Sequence, residues 1–589
     1  MKFKKFISIF LVLAMLISVA SVSAMADSSH VANYDRDTPV VIVHGMSQND
    51  TYVLDENGER IPDEIGYVTG WPLEIDVMAL VKVAIIPLIM SVFTQKDCGL
   101  TDAFRQGAYD GLPYIHKDAK GNYIADVEVP CYEYPMSEMT EELKAYYYNI
   151  LPLQDLSKIV GEESVYYFGY DSFGSVMGET EKLHHYIHDV VLPQTGADQV
   201  RLCHISLGGT IGVNYLETYP EDYDLIKRME FVVPAIDGSD IIGDILTGNL
   251  SVFYSDDVLY GELLPTLLGD TYLAYLLNMV LRVIPDDVLK SALGGLLEGL
   301  ISAGVRSTTL IWALCPTDYY EEARALWLED EEYADIAAEV DYYMNARANF
   351  PENIAALKAS GTPVFDIVCH GGGMFPLCKD YNVTNGDGIV HAESASMGAT
   401  FANVGETLGD GYKAVGTYCS DPTHNHISPD NTVDATTGLL PCTTWYISHQ
   451  AHEKLPMNDV ALKMAFDIMT DDNMVDVYSN PEVYPQFNEG RLTKEANEYL
   501  AAWEDADKSA LTAEQIEAVE KAVAEVNKQL GETVVNNAAW LAAVEDLRVA
   551  LVNAGVIEDT APTEIEKIFT QITKYLNQGV NQIFNFVNA

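Results

Sequence analysis

The chain has 589 residues, 48% of them hydrophobic, enough for one large α/β domain with additional elements. Its 88 acidic and 34 basic side chains give a formal net charge of −54. Charge of that sign favours solubility and argues against nucleic acid or an anionic membrane surface as partner, because both repel it.

The chain opens like an export signal. Lys2, Lys4 and Lys5 form a positive start, residues 6–19 are an apolar run, and Ala24-Met25-Ala26 supplies small residues at the spacing a signal peptidase needs. Residues 1–26 are therefore expected to be a signal peptide, cut after Ala24 or Ala26, and the mature protein to be secreted. The competing reading is an uncleaved N-terminal anchor. No Cys adjoins the cut site, which argues against lipidation there.

Residues 39–43 (PVVIV) read as a buried strand closed by the turn His44-Gly45. Residues 164–170 (SVYYFGY) read as a second strand, and 179–191 have helical spacing. A third strand is expected at 199–205 (QVRLCHI), followed by a helix over 208–219. Strands at 230–233, 363–368 and 445–447 complete the series. This alternation predicts a doubly wound, mostly parallel sheet covered by helices, over residues 27–480.

Two stretches interrupt it. The first, about 48–163, contains residues 77–93 (VMALVKVAIIPLIMSVF). Lys82 and Pro87 break that run, and it is short for a membrane span, so a buried or interface-seeking helix is expected. The second, about 239–361, is rich in Leu, Ile and Tyr, helical by period, and stands where a cap over the sheet belongs.

Residues 490–589 read as a small helical domain. Thr512-x-x-Gln515 is a capping-box signature and Gly531 a helix stop. Helices are expected over 536–553 and 564–587, the latter with Ile565, Ile568, Phe569, Ile572, Leu576, Val580, Ile583 and Phe584 on one stripe. The bundle packs its own core or docks at an interface or cell surface.

Export permits disulfides among the eight Cys. Cys98 and Cys131, Cys369 and Cys378, and Cys419 and Cys442 are near in sequence, although sequence does not fix connectivity. Cys203, in an expected strand, reads as a free core thiol. No Cys-x-x-Cys pair or zinc spacing stands out. Asp380 and Asn382 resemble a calcium loop faintly, but the glycine spacing is wrong for an EF-hand, so no metal is expected there.

The strongest chemical signal is Cys203-His204-Ile205-Ser206-Leu207-Gly208-Gly209, between an expected strand and helix. A serine on such a turn stands clear of the backbone, and the helix N-terminus offers N–H groups to a forming oxyanion. The common G-x-S-x-G pattern is met in part, because His204 replaces the first Gly. After the last strand, His449 and His452 both offer an imidazole for Ser206. His424 and His426 read as loop histidines, or as a metal pair, and His370 as structural.

Several segments together resemble the lipase and lecithin:cholesterol acyltransferase-like branch of the α/β-hydrolases. These are residues 40–46 (VVIVHGM), 165–171 (VYYFGYD), 195–200 (TGADQV), the Ser206 turn, and 385–390 (NGDGIV), in the family's order of Ser, Asp and His. The likeness spans about residues 39–469 in patches and leaves out the two insertions and the C-terminal region. It implies an oxyanion hole from the amides of Met46 and Leu207. It implies Asp387 as the acid that orients the base, with Asp366 the runner-up. The Thr-Trp-Tyr-x5-His spacing resembles that of secreted lipases and favours His452, whereas the spacing of His449 to Pro456 resembles other hydrolases.

The expectation is thus a secreted serine hydrolase with Ser206 as nucleophile, His452 as base and Asp387 as acid. It cleaves lipid or other carboxylic esters through an acyl-enzyme and requires no cofactor. An acyltransferase with the same three residues, or a surface-binding protein with an inert hydrolase fold, are the alternatives.

Overall fold

Seven short strands, six of them mostly buried, line up as one parallel sheet. In the computed structural model, described residues are 32–63, 66–72, 77–264, 278–279, 281–419, 421–489, 494–506, 508, 511–530 and 537–557. The strands are β1 (Val40–Val43), β2 (Val165–Phe168), β3 (Val200–Ile205), β4 (Ile226–Val232), β5 (Val364–His370), β6 (Thr444–Ser448) and β7 (Phe487–Glu489). Their order across the sheet is β7-β6-β5-β4-β3-β1-β2, and every pairing is parallel.

The strands read as nearly unbroken apolar runs because both faces are covered. Along β1, Val41 and Val43 join a core with Leu202, Ile211 and Leu216, on the side of the helices Val176–His185 and Gly208–Thr218. Val40 and Ile42 point the other way, into a core with Leu156, Val160 and Met464, beneath the helices Gln154–Val160 and Asp459–Thr470. One alternating strand thus feeds two cores.

Six expected strands are present, within a few residues at their ends. β4 starts at Ile226, four residues before the expected position, because the basic pair Lys227-Arg228 hides the run. Arg228 is buried and donates to the carbonyls of Asp471 and Met474 at 3.1 and 3.0 Å, which lets a charged residue sit in the strand. β7 was not expected: three residues carry no readable period.

The chain order places a switch point at β1. It pairs with β2 on one side and β3 on the other, so the connections diverge there and leave a crevice at the C-terminal ends of β1 and β3. His44-Gly45-Met46 follows β1 and Ser206 follows β3.

The interruptions lie between β1 and β2 and between β4 and β5. The first holds a small antiparallel sheet, with Thr51–Val53 between Thr69–Trp71 and Val127–Glu128, and the helices Val77–Thr94 and Leu100–Asp110. The second is helical and includes Asp286–Ala303 and Ala334–Ala348. The two pack on each other. Leu100–Asp110 lies so close to Asp286–Ala303 that a Cβ on Gly295 would stand 2.5 Å from the Thr101 carbonyl oxygen, and one on Gly299 2.2 Å from that of Arg105. Arg105 then bonds Glu298 across the contact at 2.7 Å.

Residues 494–557 contribute the helices Lys494–Asp505, Ala513–Leu530 and Asn537–Ala554 around a separate core of Trp503, Val519, Val526, Trp540, Leu547 and Leu551. The capping box is formed: Thr512 N–H donates to Gln515 Oε1 at 3.0 Å and Gln515 N–H to Thr512 Oγ1 at 3.2 Å, an arrangement that stabilises a helix by about 1 kcal/mol. Residues 1–26, expected to be a signal peptide, Gly531 and the amphipathic stretch 564–587 lie outside the described residues.

All eight cysteines are free thiols, so none of the three sequence-neighbour pairs is a disulfide here. Cys203 is buried in β3, as its strand position suggests.

Candidate active site

Ser206 directly follows β3 and is separated from the helix Gly208–Thr218 by Leu207 alone. Its backbone is left-handed, with φ 52°, where a non-glycine residue is strained by roughly 1–3 kcal/mol. The strain is held from two sides: Ser206 N–H donates to the Val232 carbonyl of β4 at 2.9 Å, and its own carbonyl accepts from Gly209 at 2.9 Å. This turn lifts Oγ off the sheet edge.

Glycine is required on both flanks. A Cβ at Gly208 would lie 2.4 Å from the Val43 carbonyl oxygen, and one at Gly45 would lie 3.0 Å from Ser206 Cβ. The departure at His204 is absorbed elsewhere. The ring is fully buried, its Nδ1 donates to the Gly208 carbonyl at 2.9 Å, and Gly212 leaves room for it one helical turn on, where a Cβ would stand 3.1 Å from the ring. Burial pushes the His204 pKa down to about 4, so the imidazole is neutral.

The other two expected residues converge on Ser206. Ser206 Oγ donates to His452 Nε2 at 2.9 Å, and His452 Nδ1 donates to Asp387 Oδ2 at 2.7 Å. The second oxygen, Asp387 Oδ1, accepts the backbone N–H groups of Ile389 and Val390 at 3.0 and 2.8 Å. Asp387 also fixes the main chain of its partner, since its carbonyl accepts His452 N–H at 2.9 Å. Burial opposes the charged form of His452, but the charge of Asp387 and its hydrogen bond outweigh that, so the pKa is raised above the usual 6.5. The loop bearing Asp387 is tied to the end of β5: Asn385 Oδ1 accepts from Gly371 N–H at 2.8 Å, and Gly372 and Gly386 exchange backbone bonds at 3.0 and 2.9 Å.

The alternatives are placed elsewhere. Asp366 sits inside β5 with its side chain in the core. Its carboxyl oxygens have no hydrogen-bond partner, and burial holds its pKa far above the carboxylate range, so it is protonated. His449 has an exposed ring and a left-handed backbone, φ 55°, at the end of β6. His370 is buried beside Phe401, with its pKa lowered to about 4 by burial. His424 and His426 lie near Cys442, before the start of β6. Replacing His452 with Ala should therefore remove the acylation burst on an activated ester, and His449→Ala should keep it. Stopped-flow traces showing the reverse would reassign the base.

Above Ser206, the amides of Met46 and Leu207 have no hydrogen-bond acceptor among the described residues. Leu207 caps the helix Gly208–Thr218, so its amide stands at the positive end of the helix dipole. The turn before Met46 is held by His44 and Tyr170, which lie in the segments 40–46 and 165–171, and by Gln48, for which the sequence gives no signal. Gly45 N–H donates to Gln48 Oε1 at 2.6 Å. His44, stacked on Tyr170 at 4.0 Å, accepts the Tyr170 N–H at Nε2 and so donates from Nδ1 to the Gly45 carbonyl at 2.6 Å. Burial lowers the His44 pKa to about 4, which keeps that tautomer neutral.

A scan of protein-family models finds no match for the chain, and no curated protein matches it.

Proposed function

We propose that the chain is an exported serine hydrolase of the α/β-hydrolase fold that cleaves lipid acyl esters. The observation that carries this reading is the Ser206–His452–Asp387 relay, with bonds of 2.9 and 2.7 Å on a strained turn at the switch point of the sheet. Ser206 Oγ attacks the ester carbonyl carbon and its proton passes to His452 Nε2. The carbonyl oxygen, now negative, receives the Met46 and Leu207 amides. His452 then returns the proton to the departing alkoxide, leaving an acyl-enzyme on Ser206. Water, deprotonated by His452, releases the acid. Asp387 orients His452 and stabilises the imidazolium.

The apolar surroundings support an acyl chain as the bound group. The Met46 side chain packs against a cluster that includes Leu112, Ile115, Phe173, Leu246 and Ile311, drawn largely from the two interrupting segments. The helix Val77–Thr94 exposes Val83, Ile86, Ile89, Met90 and Phe93, with Phe93 82% and Ile86 70% exposed. One helix surface with that much uncovered apolar area suits an oil–water interface. The segment between β4 and β5 serves as the cap. Long-chain p-nitrophenyl esters should accordingly be turned over with a higher kcat/KM than the acetyl ester, with a further rise above the substrate's solubility limit. Equal kcat/KM for both, with no rise, would make this a small-ester esterase.

The proton route sets the sign of the pH dependence. Acylation needs His452 neutral at Nε2, and its pKa lies above 6.5, so kcat/KM should fall as pH drops through that raised value. Activity that stays level from pH about 8 down to about 5 would contradict a histidine base.

A further inference from the structure

Four side chains outside the relay converge in a geometry that a disulfide does not explain. They are Cys419, His424, His426 and Cys442, and their Sγ, Nδ1 or Nε2 atoms all lie within 4.8 Å of one another. The two sulfurs are 3.5 Å apart, far beyond the roughly 2.05 Å of a disulfide. His424 Nδ1 is 3.6 Å from Cys419 Sγ and 3.8 Å from Cys442 Sγ, and His426 Nε2 is 3.6 Å from Cys442 Sγ. A tetrahedral zinc ion, with bonds of about 2.3 Å to sulfur and about 2.0 Å to nitrogen, has ligand–ligand edges of about 3.3–3.8 Å. These four distances meet that range.

We propose that these residues bind one zinc ion, with His424 ligating through Nδ1 and His426 through Nε2. The surrounding bonds prepare the ligands. Gln486 Nε2 donates to the carbonyls of Pro441 and Thr444 at 2.7 and 3.1 Å, which turns its Oε1 toward His426. That oxygen accepts His426 Nδ1–H at 2.8 Å, leaving the Nε2 lone pair for the ion. His424 packs on the Tyr478 ring at 4.2 Å, and its Nε2 lies 3.7 Å from the Asp421 carboxylate. On binding, the two thiols release their protons, and two thiolates with two neutral imidazoles balance the charge of the ion.

The position makes the ion structural. Cys442 lies two residues before β6, at the strand end opposite to the one that leads into His452. Four protein ligands leave no open coordination place for substrate. The ion would staple the loop of residues 419–426 to the entry of β6 and to the Tyr478–Gln486 segment. The spacing Cys-x4-His-x-His-x15-Cys is why no zinc pattern stands out in the sequence.

The test uses the full chain, purified from the medium without chelators, and does not depend on the hydrolase reading. Elemental analysis should find about one zinc per chain. Replacement by cobalt should give a thiolate-to-cobalt charge-transfer band and the strong visible bands of a tetrahedral centre. Cys442→Ser and His426→Gln should lose the zinc, and Cys98→Ser, at an exposed thiol elsewhere, should keep it. Should either ligand variant fold poorly, the wild-type cobalt spectrum decides independently. A metal-free protein that gives no such bands after mild reduction, or a Cys419–Cys442 disulfide found by mass spectrometry in the protein as isolated, overturns the proposal.

Discussion

Ser206→Ala is expected to lower kcat on a long-chain p-nitrophenyl ester by about 10⁶-fold, the scale seen when a triad nucleophile is removed. The substitution deletes the only oxygen among the described residues in hydrogen-bond contact with His452 Nε2. It should cost little in stability, because the φ of 52° is imposed by bonds from the Ser206 backbone to Val232 and Gly209, which alanine keeps. The melting temperature therefore serves as the control. A variant that retains turnover within about tenfold of the parent would remove Ser206 from the mechanism.

Asp387→Asn is expected to lower kcat by about 10⁴-fold. The direction follows from the two N–H donors on Oδ1. Ile389 and Val390 would hold the amide oxygen of an asparagine, and its NH₂ would then face His452 Nδ1. That nitrogen would have to accept, which moves the imidazole proton to Nε2 and leaves no lone pair for Ser206. Asp366→Asn should leave kcat near the parent value, because Asp366 is protonated in the core and touches none of the reacting atoms. Comparable losses in both variants would mean that Asp387→Asn acts through the fold rather than through the tautomer of His452.

The parallel sheet was legible because strands covered on both faces are forced to be apolar throughout, as in residues 40–43 and 165–168. The boundary of β4 was hidden by Arg228, whose burial depends on carbonyls more than 200 residues away. Ser206 could be read from its turn, since the need for glycine at 208 is local. His452 could not be separated from His449 by spacing alone. What separates them is a backbone bond from His452 to Asp387, 65 residues earlier, and the left-handed φ that turns His449 outward. In the support of the Met46 turn, the Gln48 bond was likewise invisible because it belongs to no motif, and the pairing of His44 with Tyr170 was invisible because it joins residues 126 positions apart. His204 looked like a defect in the serine motif. Its compensation, Gly212, lies on the next turn of the helix and belongs to no motif.

The central claim is that Ser206 is activated as a nucleophile by His452. Only an activated serine reacts rapidly with a fluorophosphonate, so the most direct measurement is labelling of the folded wild-type chain followed by peptide mapping. One adduct is expected, on the peptide containing Ser206, and none after heat denaturation or in His452→Ala. An unlabelled Ser206 in folded protein, or an adduct confined to another residue, would contradict it.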